Sequence, residues 1–414
     1  MVRSIAQAYR EAYGGLSKEV WILSLALLIN RSGSMVYAFL TLYLTEKLGF
    51  SMLDAGTMFS IFGAGSLVGV YLGGRLVKPL GAIRTQICGL LLAPPILLLV
   101  PFFDEFWKIG AVIFFYSMCT SSVRPANSVA VSQFTEPELM TRAFGLQRMA
   151  VNLGFSIGPA IGGFLAMYNF TWLFFADALT TALGGAVLII SFGFRKYAKT
   201  EAAAQMQKAA EQTDEAGSPL SDHRFLIFLG MLLLSSLVFM QYCATYPKYL
   251  QDFYSMSKFE IGLMFSVNTV LIVVLEMLVV NKVKALPQLR TIGWGCFLSC
   301  FGFALLPLGN TMWFCVISVC VFTIGEMLNS PLSSGFVANR SINRDRGMYM
   351  SAYSMTYSLA AIIAPPMGTY LYQINPHLLW GVAYVIGAVV LIGFYRFASL
   401  EEFSSGSSVN ESLR

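Results

Sequence analysis

Apolar residues along this chain do not alternate with polar ones. They run together in blocks of about 20, the length that crosses a bilayer as a helix. Twelve such blocks stand at roughly 20–44, 54–76, 83–101, 109–132, 143–167, 171–194, 224–247, 259–281, 289–308, 312–335, 348–372 and 378–398. One polar stretch is long: "KYAKTEAAAQMQKAAEQTDEAGSPLSDHR". Its first part reads either as a surface helix or as a solvated tether. The pattern predicts an all-α membrane protein of two pseudo-symmetric six-helix bundles. The expected division is a bundle over 1–194, a cytoplasmic linker over 195–223, a second bundle over 224–400 and a disordered cytoplasmic tail over 401–414.

Composition sharpens this. The chain is 56% hydrophobic and only 12% charged, where a soluble domain carries about 25% charged residues. Lys and Arg crowd the loops of one side (Lys18, Arg75, Lys78, Arg84, Arg142, Arg290, Arg340 among them), which places both termini and the linker in the cytoplasm. No short apolar segment ends in a small-residue cleavage site, so the first block is expected to stay in the protein. All seven cysteines fall in apolar blocks without metal-site spacing, and there are only two histidines. No metal, no cofactor and no nucleic acid is expected, and no GxxxxGK[ST] loop would hold ATP.

The halves repeat. At an offset of 206, "GTMFS" (56–60) meets "GLMFS" (262–266). Arg84 meets Arg290, Pro159 meets Pro365 and Gly162 meets Gly368. Two parallel six-helix halves form a common transporter plan, with the substrate site expected near the midplane between them. In "NLGFSIGPAIGG" (152–163), Gly154, Gly158, Gly162 and Gly163 offer a small-residue face for close helix packing, and Pro159 removes a backbone bond.

Over nearly its full length the chain resembles the major facilitator superfamily. That stretch is similar to the GxxxGPxxGG signature of the fifth helix in drug:proton antiporters of 12 helices. The resemblance implies alternating access, with the fifth helix at the gate. "GGRLVKPLGAIRT" resembles the loop after the second helix, through Gly74, Gly81 and Arg84. Lys78 stands where that loop carries the aspartate that helps lock the cytoplasmic side. Lys78 therefore either pairs with Asp345 or serves only as an inside charge. Arg31 is similar to the arginine of the ExxER motif of oligopeptide–proton symporters, with Leu27 and Asn30 at the two glutamate positions.

Ionisable residues inside the blocks carry the chemistry. A charge at a bilayer centre costs about 3 kcal/mol or more, so it should face the interior, be paired or work. Arg31, Arg124, Glu276, Glu326 and the shallower Arg148 qualify. By the resemblance, Arg31, Arg124 and Glu326 face one cavity. A carboxyl held between burial and a nearby cation exchanges its proton as the partner moves, whereas a guanidinium keeps its proton. Glu326 and Glu276 are therefore the expected proton-coupling acids, and Arg124 joins them because it resembles the family's fourth-helix arginine implicated in proton coupling. Arg31, Asn30, Tyr37, Tyr246 and Glu326 are the expected substrate contacts. A static ion pair is the alternative for Arg31, and a helix-packing role is expected for Asp177.

The function expected is a proton-coupled antiporter exporting amphipathic small molecules, as a monomer in a bacterial inner membrane. The alternative is proton-coupled uptake of a small anionic or zwitterionic solute such as a peptide. An enzyme would need a nucleophile–base pair or metal ligands, and the sequence offers no His- or Cys-based set of that kind.

Overall fold

The computed structural model describes residues 14–136, 139–193, 219–283, 286–341 and 346–411. Its helices are α1 (Lys18–Arg31), α2 (Met35–Leu42, running on through a π turn to Lys47), α3 (Met52–Leu80), α4 (Ala82–Leu97), α5 (Phe106–Gln133), α6 (Met140–Tyr168) and α7 (Thr171–Phe192). They continue as α8 (His223–Phe239), α9 (Gln241–Ala244), α10 (Tyr246–Tyr254), α11 (Lys258–Val283), α12 (Gln288–Ala304), α13 (Met312–Arg340), α14 (Arg346–Ile374) and α15 (Pro376–Glu411). Since α1 with α2, and α8 to α10, each make one interrupted span, the count is twelve. Among the described residues eleven of these spans are long and apolar enough to cross a membrane. The remaining one, α14, has 29 residues, but Ser, Thr and Tyr dilute its first half.

The repeat is visible in the helix starts. Met52 and Lys258, Ala82 and Gln288, Phe106 and Met312, and Met140 and Arg346 each begin a helix, and every pair is 206 apart. Even the caps repeat. Ser51 and Asp54 close a reciprocal capping box at the head of α3, and Ser257 and Glu260 make the same bonds at the head of α11.

The chain divides into two compact units, Met1–Ala209 with Met256–Val273, and Ala210–Ser255 with Val274–Arg414. The start of α11 groups with the first unit for a steric reason. A side chain at Gly262 would run into the Pro159 carbonyl, and one at Gly163 into that of Lys258. Lys258 also pairs with Glu46 at 2.8 Å and lies over the Phe170 ring. The first unit's core gathers Val20, Leu23, Ile87, Leu146 and Phe192. The second gathers Phe225, Phe228, Ile292, Tyr349 and Phe394.

In the second unit Arg340, at the end of α13, grips Asp222 through two bonds of 2.8 Å, and the Tyr349 hydroxyl adds a third. Asp222 also caps α8 by accepting from the Phe225 amide.

Most of the expected linker, residues 194–218, lies outside the described residues, as does Asp345. The backbone of α15 is helical through Glu411, since no proline interrupts it after its first residue and each of its glycines costs a helix only about 1 kcal/mol.

Candidate functional site

The first span is broken where the sequence reads Arg31-Ser32-Gly33-Ser34. Serine and glycine are poor helix formers, and Ser32 turns its hydroxyl back onto the Leu28 carbonyl. Gly33 is required here because a Cβ would collide with the Thr180 hydroxyl of α7. The helix restarts as α2 with Ser34 in the capping position, but the Ser34 side chain makes no capping bond.

The cap comes from another helix. Asp177 of α7 is only 2% exposed. Its Oδ2 accepts from the Val36 amide, the second of α2, at 3.4 Å. Its Oδ1 accepts from the Tyr116 hydroxyl of α5 at 3.0 Å. Thr181, one turn along α7, also hydrogen-bonds Asp177 and accepts from Asn30 Nδ2 at 3.2 Å. A carboxylate at a helix N-terminus satisfies an otherwise orphaned amide and complements the helix dipole.

Arg31 is the last residue of α1 and lies half-buried beside this cap, within electrostatic range of Asp177, Tyr116 and Arg124. Its Nε is buried and has no hydrogen-bond partner. Arg124, exposed on α5, is also within electrostatic range of Tyr37. The Tyr37 ring packs on Phe59 and Phe62, 5.2 and 4.9 Å between centroids.

The glycines of α6 seat against the break. A Cβ at Gly154 would stand 2.6 Å from Arg31 Cβ, one at Gly158 3.0 Å from the Ser32 carbonyl, and one at Gly162 2.8 Å from Met35 Cβ. The close-packing face expected from the sequence is thus fitted to the interruption in the first span, with Pro159 buried beside it.

The other expected residues are more dispersed. Glu326 sits half-buried on α13, within electrostatic range of Tyr242 and Tyr357. Glu276 is half-buried on α11. Tyr246 is fully enclosed against Tyr242 and Phe303, with its hydroxyl 3.3 Å from the Cys315 sulfur, and offers no open face to a ligand. Arg148 is exposed. Lys78 and Gly74 are exposed on α3, nothing lies within 4 Å of a Cβ at Gly74, and Gly81, at φ 87°, makes the bend into α4, whose first turn carries Arg84. Asp177 is the residue that sequence reasoning assigned only to packing. Its spacing from Arg31 and Tyr116 along the chain hides that the three meet.

The second unit builds the same interruption from other residues. Gln241, at the same repeat position as Met35, donates to the Ala364 carbonyl of α14 at 2.6 Å. Gly368, the counterpart of Gly162, again leaves the room, since a Cβ there would strike the Gln241 amide.

The Major Facilitator Superfamily model matches residues 22–365. The quinolone resistance protein NorA of Staphylococcus aureus is 22% identical, over 94% of this chain and 99% of its own length. A Na(+), Li(+), K(+)/H(+) antiporter of Planococcus maritimus is 22% identical, over 81% of this chain and 85% of its own. A glutamate-to-glutamine mutant of the peptide transporter POT, crystallised with alafosfalin, matches at a TM-score of 0.76 with 17% identity, covering 94% of this chain and 96% of that one. That likeness concerns the fold alone. With a matched model across most of its length and twelve spans in two repeated bundles, the chain is a multi-pass membrane protein, not an enzyme, and belongs to the Major Facilitator Superfamily of secondary transporters.

Proposed function

We propose that the protein is a proton-coupled antiporter that exports amphipathic small molecules, working as a monomer in a bacterial inner membrane with both termini in the cytoplasm. The observation that carries this reading is ionisable chemistry kept inside apolar helices. Arg31 and Arg124 lie around a broken first span, and Glu326 sits among the aromatic residues of α13 and its neighbours. Such groups are costly in a membrane unless they work. Glu326, with Arg124 and Glu276, handles the proton; Arg31, Asn30 and Tyr37 stand next to the substrate. The fifth-span glycines Gly154, Gly158, Gly162 and Gly163 with Pro159 let the first span move, and Gly74, Lys78, Gly81 and Arg84 act at the loop after the second span. Similarity to the quinolone resistance protein NorA supports a drug-like substrate, and similarity to the cation/proton antiporter supports antiport.

Uptake of an anionic or zwitterionic solute is the second reading. It is favoured by the buried Nε of Arg31, since a guanidinium binds carboxylate or phosphate bidentately. One experiment separates the two. Purified protein in proteoliposomes is given an imposed pH gradient and offered either lipophilic cations or short peptides. Antiport predicts substrate movement opposite to the proton and its loss in Glu326→Gln. Full gradient-driven transport by Glu326→Gln would overturn the assignment of Glu326. Co-directional peptide movement that disappears in Arg31→Ala would establish uptake.

A further inference from the structure

Asp177 is a buried acid that the reading above leaves unused. We infer that Asp177 carries a proton and that its charge operates the break in the first span: ionised, it caps α2; protonated, it lets that cap go. The inference rests on the proton-coupled reading and adds a second acid to it, in the first unit.

Three observations support it. The carboxyl, not Ser34, caps α2, through the Val36 amide. It is almost fully buried and held by the Tyr116 hydroxyl on its other oxygen. And the second unit makes the corresponding break with no charge at the counterpart positions. At the repeat offset of 206, Arg31 becomes Leu237, Tyr116 becomes Phe322, Asp177 becomes Ala383 and Arg124 becomes Ser330. Leu237, Gln241 and Ala383 there line a small apolar cavity. The fold therefore forms this interruption without an acid at the position of Asp177. Replacing buried ionic groups by apolar ones is often neutral or stabilising, so packing alone gives no reason for Asp177.

The groups facing the carboxyl are few. They are the Val36 amide from α2, Tyr116 from α5, Arg31 from the end of α1, and Thr181 from α7 itself. Arg124 acts on Arg31 rather than on Asp177. The helices α4 and α6 carry Arg84, Arg142 and Arg148 in their starting halves, whereas Asp177 lies early in α7 and hence near the opposite ends of those helices. In the ionised state both carboxyl oxygens accept, and Arg31 has an anion nearby. A proton taken up from the acidic solution adds to Oδ2, which then donates instead of accepting, while Oδ1 still accepts from Tyr116. The Val36 amide loses its acceptor, the dipole of α2 loses its counter-charge, and Arg31 loses its anion. The hinge Ser32-Gly33-Ser34 is then free to re-pack against α6. Departure of the proton restores the cap, so no other reactant is needed.

The test uses the full chain in lipid vesicles. Hydrogen exchange of the peptide carrying Val36 is followed across pH, corrected for intrinsic rates, in the wild type, Asp177→Asn and Glu326→Gln. The expected result is protection that falls at least tenfold on acidification in the wild type and in Glu326→Gln, and that is independent of pH in Asp177→Asn. Infrared pH-difference spectra should lose one protonated-carboxyl band in Asp177→Asn. An unchanged pH response in Asp177→Asn, with the band retained, would overturn the inference. Should Asp177→Asn fail to fold, Tyr116→Phe keeps the acid and removes one donor. It should displace the midpoint by about one to two pH units, and an unmoved midpoint overturns the inference as well. If Glu326→Gln abolishes gradient-driven transport while Asp177→Asn preserves both transport and the pH response, this inference fails and the proposed function stands. Gradient-independent transport in the wild type would instead defeat the proposed function.

Discussion

The fit of α6 against the broken span can be measured with one methyl group. In Gly154→Ala the new Cβ would lie 2.6 Å from Arg31 Cβ and 2.8 Å from the Leu28 carbonyl oxygen. Neither atom is the tip of a flexible side chain, so the backbones must separate. Overpacking of this kind costs about 1–3 kcal/mol, while exchanging glycine for alanine in a helix returns about 1 kcal/mol. The net expectation is a loss of up to about 2 kcal/mol. Gly158→Ala meets the Ser32 carbonyl at 3.0 Å and should come out near neutral. Gly74→Ala on α3, with nothing within 4 Å, keeps only the helix gain of about 0.5–1 kcal/mol. The order Gly74→Ala above Gly158→Ala above Gly154→Ala is the prediction. It is checked by thermal unfolding in detergent micelles, followed by intrinsic fluorescence. If Gly154→Ala proves as stable as Gly74→Ala, the close approach of α6 to Arg31 is not what the fifth-span glycines are for.

Two further substitutions probe other joints. Arg340→Ala strips Asp222 of both its short bonds, and the two side chains are only 15% and 10% exposed. A loss of about 2–3 kcal/mol is expected in the same assay, with Arg340→Lys recovering only part because it cannot bond bidentately. Gly33→Ala drives a methyl into the Thr180 hydroxyl. It should be strongly destabilising alone and partly relieved by Thr180→Ala, and strict additivity of the two would count against their contact.

The fold was legible in the sequence because the bilayer imposes one length and one polarity on every span, and because the repeat is written in register. Gly162 and Gly368 were visible as a matched pair from the sequence. What each one faces, Met35 in one unit and Gln241 in the other, was not. The charged residues of the candidate site were legible for a related reason. Arg31 and Arg124 stand out as charges in apolar blocks, where the cost of burial makes them conspicuous. Asp177 stands out just as much in "LFFADALTT", but its role depends on a break 141 residues earlier in the chain. No local pattern marks that distance. Tyr246 illustrates the opposite limit. A tyrosine in a span near polar residues reads as a pocket lining, yet its ring fills the second unit's aromatic core and is 0% exposed.

The repeat also separates what the scaffold requires from what transport requires. Where both units keep a feature at the same offset, as with the capping boxes at Ser51 and Ser257 or the glycines at 162 and 368, the feature belongs to the fold, because two different sets of surroundings demand it. Where one unit has a charge and the other does not, packing is satisfied either way and the charge needs another reason. By this criterion Glu326 is as telling as Asp177. Its counterpart in the first unit is Thr120, which bonds only the carbonyls of its own helix. The two acids thus occupy different repeat positions, Asp177 on a sixth span and Glu326 on a fourth. On the proposed reading their protons act on different contacts: the cap on the Val36 amide in the first unit, and the surroundings of Tyr242 and Tyr357 in the second. A symmetric scaffold carrying two acids out of register cannot respond to a proton in the same way in both halves. Such unequal response is what a transporter needs if proton binding is to favour one conformation over another.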